Sequence, residues 1–255
     1  MKSITLWYVL LLTTLPLYCT APVTDKARDI HRYTWASYLE FKGNAPAAHQ
    51  LYQTMHDTTS SVYTYKGLIH LLSKTRNFGR IMELYTTLTK KHPQLFQHDP
   101  DTLLIIAQAM RSTGNGIHAD EVIMQLSKTH RTHPDVIFQA VEVCARQKNP
   151  QQALDLIAQY LNTAPPMPTH YIFYFLKAQL EIQENKATQA LASIREALNI
   201  MPQFDRGWLM LALLLEKEGN LQEAIEGYKS YASLVPQAHQ QIEARIAYLS
   251  LQMHK

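Results

Sequence analysis

The residues of this chain that could do chemistry are twelve histidines and two cysteines, so their spacing decides which reactions are open. The densest histidine group is "HRTH", with His130 and His133 three residues apart. Imidazoles at that interval can share a helix face, but zinc usually takes three or four ligands. No cysteine or carboxylate stands beside them at a metal-binding interval, and both lie where a helix should end before Pro134. They read as solvated histidines at a helix end, and no metal site is expected. Cys144 reads as a structural thiol packed between helices, since a nucleophile needs an activating base that no neighbour supplies. The glycine-rich phosphate loop, HExxH, GxSxG and CxxC are all absent. Neither an enzyme activity nor a cofactor is expected.

The elements that carry these residues are helical by composition. The chain has 255 residues, 46% hydrophobic, with only 8 glycines. Helix formers dominate, and short alternating β-branched runs are nearly absent. With 24 basic and 21 acidic residues mixed along the chain, the net charge is +3. No basic block marks a nucleic-acid surface.

The amino terminus differs from the rest. After Met1 and Lys2 comes "ITLWYVLLLTTLPLY", then small residues near Cys19 to Ala21, and Ser3 to Thr24 contain no charge. That order is the order of a secretory signal peptide over residues 1–21. An uncleaved membrane anchor is the alternative reading. Cys19 leaves lipid attachment as a third, although Pro16 and Tyr18 stand where a bacterial lipobox has Leu and a small residue. The expected location is outside the cytoplasm: periplasmic or outer-membrane-associated in a bacterium, or secreted. With Cys19 removed or acylated, Cys144 has no intramolecular partner, so the fold must rest on apolar packing.

A longer pattern organises the remainder. "NLQEAIEGYKSYASLVP" places Ala224, Tyr228 and Pro236 at the offsets that Ala190, Ile194 and Pro202 occupy in "KATQALASIREALNIMP". Upstream of the former stand Trp208, Leu211, Ala212 and Leu215. W-x2-L-A-x2-L, then A-x3-Y, then P resembles the tetratricopeptide signature at its 34-residue period. The register extends backward to units at 29–61, 62–95, 100–133, 134–167, 171–204 and 205–238. The resemblance implies an all-α right-handed superhelical solenoid of about six helix-turn-helix repeats. Small residues such as Ala36, Ala178, Ala190, Ala212 and Ala224 let paired backbones approach, while Trp208, Leu211, Leu215 and Tyr228 fill the space around them. "KGN" and "EGN" supply glycine for the turns, and Pro202 and Pro236 stop second helices. Residues 239–255 form one further helix with Ile242, Ile246, Leu249 and Met253 on one face, a cap over the last repeat.

In this family the first helices of successive units line a concave groove through their second, fifth, ninth and twelfth positions. Here the resemblance assigns to it Tyr33, Ser37 and Glu40; Tyr63, Lys66 and His70; Leu104, Gln108 and Arg111; Phe138 and Glu142; Phe175 and Gln179; and Arg206, Leu209 and Glu216. Aromatic and arginine anchors of this kind are enriched in protein interfaces. The carboxylate clamp of chaperone-binding members needs Lys then Asn, whereas Lys66 is followed by His70, so that mode is not expected. The resemblance implies a protein- or peptide-binding scaffold similar to envelope proteins of bacteria, including small six-repeat lipoproteins that assist type IV pilus assembly. A self-associating structural repeat protein is the main alternative, and a catalytic or metal-binding helical protein the remoter one.

Overall fold

The computed structural model describes residues 25–58, 62–91, 96 and 99–253. The signal-peptide, anchor and Cys19 readings lie outside the described residues. Within them the chain is helical throughout: α1 Asp25–Phe41, α2 Ala45–Thr58, α3 Val62–Lys74, α4 Phe78–Lys91, α5 Pro100–Ser112, α6 Gly116–Thr129 and α7 Pro134–Arg146. There follow α8 Pro150–Thr163, α9 His170–Gln183, α10 Ala187–Ile200, α11 Asp205–Lys217, α12 Leu221–Leu234 and α13 His239–Met253. Two compact units are present, one ending at Ala109 and one running from Met110 to Lys255.

The same turn follows α1, α3, α5, α7, α9 and α11. After α11, the Asn220 N–H reaches back to the Leu215 carbonyl (2.9 Å) and the Gly219 N–H to Glu216 (3.0 Å). Equivalent bonds run from Asn44 to Leu39, Asn77 to Leu72, Asn115 to Met110, Asn149 to Cys144 and Lys186 to Glu181. These are Schellman closures, which satisfy the last carbonyls of a helix but force one residue into the left-handed region. Gly219 meets that demand at φ 81°, whereas Lys148 meets it at φ 54° with a Cβ to accommodate. The asparagine after the left-handed residue also begins the next helix. Asn149 Oδ1 accepts the Gln152 N–H at 3.2 Å, and Asn44 does the same for Ala47 at 3.3 Å.

Helix pairs close on small residues. Ala36 with Ala48, Ala140 with Ala153, Ala178 with Ala190, and Ala212 with Ala224 are all 0% exposed. In the first unit α1 packs on α2 and α3, and α3 on α2 and α4. The Tyr52 ring from α2 lies directly over Gly67 of α3, where a Cβ would collide with it. In the second unit each helix from α6 to α13 packs on the next. Its core holds Ile137, Ile157, Tyr160 and Phe173, then Ile194, Leu211 and Leu215. Trp208 packs partly buried on that second cluster, and its indole N–H donates to the Pro202 carbonyl at 2.8 Å.

Helix α13 lies on the α11/α12 pair, with Leu249 1% exposed among Ala212, Ile225 and Tyr228, and Ile242 and Ile246 packed at the margin. Met253 departs from the expected face and is 43% exposed, in a last turn where Leu251 is 67% exposed as well. Trp35 holds in the first repeat the register position that Leu211 holds in the last. At 49% exposure it does not fill space between helices, because Ala36, its neighbour in sequence, takes the inward position.

Two stability measurements test this arrangement. Gly219→Ala should cost about 1 kcal/mol and Lys148→Gly should gain about 0.5 kcal/mol, as the left-handed turn penalises a Cβ in one case and is relieved of it in the other. Denaturant titration reads both signs. Leu249→Ala should lose about 2–5 kcal/mol, and an unchanged melting curve would mean that α13 contributes nothing to the unit beneath it.

Candidate protein-binding face

In the first unit most of the described groove positions are drawn into the chain's own contacts. Ser37 Oγ and Tyr52 Oη stand 3.1 Å apart, and the Tyr33 and Tyr52 rings are 6.0 Å apart. Burial pushes the Tyr52 phenol up to about 12, against the opposing hydrogen bond from Ser37. Glu40 on α1 takes Lys74 Nζ at 2.7 Å and His70 Nδ1 at 3.1 Å, both from α3. Lys66 pairs with Asp99 at 2.8 Å. Gln108 is exposed. The Tyr63 side chain lies outside the described residues.

In the second unit the positions separate into two groups. Arg111 is engaged internally: its Nη2 meets Asp120 Oδ1 at 3.0 Å, its Nη1 donates to Gln139 Oε1 at 2.9 Å, and Arg146 reaches the same Asp120 oxygen at 2.8 Å. Glu216 is engaged too. It accepts the Tyr228 hydroxyl at 2.7 Å and both Nε and Nη2 of Arg245, which joins α13 to α11. Hydrogen bonds from Arg245 hold the Glu216 carboxyl below the usual carboxylate range, outweighing burial, while burial and Glu216 push the Tyr228 phenol up to about 12.

The other group stays open. Glu142 is exposed and Gln179 half-buried, and neither makes a side-chain hydrogen bond among the described residues. The Arg206 side chain is exposed. Phe138 rests half-buried on the α7–α9 core, and Phe175 meets Phe204 edge-on at 4.9 Å. Successive first helices therefore repeat one arrangement. The fifth positions hold Phe138, Phe175 and Leu209, each half-buried, and the ninth hold Glu142, Gln179 and Leu213. Leu213, 53% exposed, is absent from the sequence-derived set although the same count reaches it.

A helix pair repeated with these turns and these small-residue contacts can be compared with solved structures. The carboxy-terminal part of a TPR repeat-containing protein from Cytophaga hutchinsonii superposes with a TM-score of 0.68 at 13% identity, over 86% of this chain and 88% of that one. This chain has the tetratricopeptide-repeat fold. Two further tetratricopeptide-repeat structures align well. PilF from Pseudomonas aeruginosa gives 0.56 at 16% identity, over 75% of this chain and 90% of that one. PilW, described as a widely conserved type IV pilus biogenesis factor, gives 0.53 at 18%, over 70% and 79%. No protein-family profile and no curated protein matches the sequence.

Two reactive groups elsewhere in this chain, Cys144 and His170, are buried. Cys144 is 0% exposed and burial pushes its thiol up, away from the nucleophilic thiolate. His170 is 6% exposed, held below the ordinary imidazole range by burial, with its ring 5.2 Å from that of Tyr160. His130 Nδ1 lies 2.8 Å from Thr129 Oγ1.

The arginine pair around Asp120 makes a pH-dependent prediction. Burial alone would raise this carboxyl, but the hydrogen bonds and charges of Arg146 and Arg111 outweigh it and hold it low. The group therefore contributes stability above the ordinary Asp range, near pH 4, and loses it as pH falls further. Asp120→Asn should lower the melting temperature at neutral pH and flatten its decline below about pH 4. Parallel pH curves for the two proteins would refute the assignment.

Proposed function

We propose that this protein is an exported, non-catalytic scaffold that binds a segment of another protein across the first helices of its second unit, in the assembly of an envelope complex. The observation that carries the reading is the repeated arrangement on α7, α9 and α11. Half-buried apolar side chains at Phe138, Phe175 and Leu209 are flanked by Glu142, Gln179 and Leu213. A ligand laid across three helices would meet an apolar floor with a polar and apolar rim, the anatomy of a protein interface. The PilF and PilW likenesses support the same reading by fold alone, and the leader-like amino terminus, a basic start before an apolar run, supports export. The engaged residues Arg111 and Glu216 hold the unit together and are not placed at the contact.

Phe138 and Phe175 also pack on the core, so truncating them mixes folding with binding. A photo-crosslinking residue placed singly at Glu142, Gln179 or Leu213 avoids that difficulty. In the native host, these positions should give a discrete adduct with another protein, while the exposed second-helix positions Glu121 and Asp155 give none. Adducts of equal yield at all five positions, or at neither set, would sink the proposal.

A further inference from the structure

Helix α1 carries a second exposed face. Ile30, Trp35, Tyr38 and Phe41 are 42, 49, 46 and 83% exposed. At 3.6 residues per turn the four lie within an arc of about 140°. The opposite side holds Ala36, buried Asp29, and Glu40 in its pairs with Lys74 and His70. Trp35 stacks on Tyr38 with centroids 5.3 Å apart at 26°, and Lys42 Nζ stands 5.7 Å from the Tyr38 ring centre. Scattered exposed apolar residues are ordinary, but four on one side of a helix, three of them aromatic and with exposed His31 and Thr34 between them, mark a contact surface.

Charge and chain position indicate the occupant. The described acidic side chains of α1 are turned inward, while Arg28 and Lys42 are exposed along the stripe. The surface is thus apolar and aromatic with a basic edge. Six residues, 19–24, separate the apolar run ending at Tyr18 from α1, and such a link spans at most about 20 Å. Where that run stays uncleaved in a bilayer, the anchor alternative that the sequence leaves open, α1 lies within reach of the headgroups. No helix among the described residues is long and apolar enough to cross a membrane, so contact here would be lateral. A stable dimer engages about 20–30 residues a side, far more than this stripe offers.

We infer that the outer face of α1 rests on an anionic lipid surface. Trp35 and Tyr38 sit at headgroup depth, Ile30 and Phe41 enter the acyl boundary, and Lys42 faces the phosphates. The contact requires no protein partner, so it stands or falls apart from the scaffold reading.

The full chain has three tryptophans, and subtracting the emission of Trp35→Phe from that of the unaltered protein isolates Trp35. The protein is reconstituted in phosphatidylethanolamine–phosphatidylglycerol vesicles with bromine-labelled acyl chains. The Trp35 component should shift to the blue and lose at least half its intensity, and less than a quarter in phosphatidylcholine alone. Ile30→Asp with Phe41→Asp should abolish the quenching without changing helix content. The inference is overturned if Trp35 is unquenched in anionic vesicles or equally quenched in both lipids. It is also overturned if Trp35 is already shielded from acrylamide without lipid, which would place a second copy or the chain's own amino terminus on the face.

Discussion

Two helices can lie against each other only as closely as their largest facing side chains allow, and this chain is built around the points where those side chains nearly vanish. A methyl group at Gly227 would stand 3.1 Å from Ala212 Cβ, closer than nearly all real contacts. The buried alanine pairs elsewhere mark the same approach. Because backbones meet there, the larger residues around each contact must interlock, and the turn between helices must be short. The Schellman closure satisfies that second demand with three residues and no loose carbonyl.

Much of this was legible because it depends on residues near one another in sequence. Alanine, aromatic and proline at fixed offsets give the period, and glycine after α1 and α11 gives the turn. The turns after α3, α7 and α9 were harder to see. Arg76, Lys148 and Asn185 adopt the left-handed conformation without being glycine, because the surrounding hydrogen bonds impose it. The asparagine that follows most of these residues is the clearer signal, doubling as the cap of the next helix.

The candidate face was legible as a set of positions and less so as a set of available groups. Counting to the twelfth position finds Arg111 and Glu216, but whether a charged side chain faces solvent depends on what lies opposite. Asp120 and Arg146 are 26 residues apart, and Arg245 meets Glu216 across 29; no periodic count registers either encounter. Trp35 shows the same limit from the other side. Its register position resembles a core site, and only the neighbouring helices decide that Ala36 turns inward instead. Local pattern sets the helices and their order, whereas the ion pairs that join one helix to a later one require the fold.

The sequential packing of α6 to α13 bears on how such a chain acquires its structure. Each helix finds its partners immediately before and after it, so contact order is low and little loop-closure entropy opposes the first contacts. A chain delivered amino terminus first can complete one pair before the next arrives, each finished pair serving as template for its successor. Until α13 follows and its Leu249 and Arg245 settle, the apolar flank of α11 and α12 stays open. The vulnerable interval in the folding of this unit therefore falls between the completion of α12 and the docking of α13.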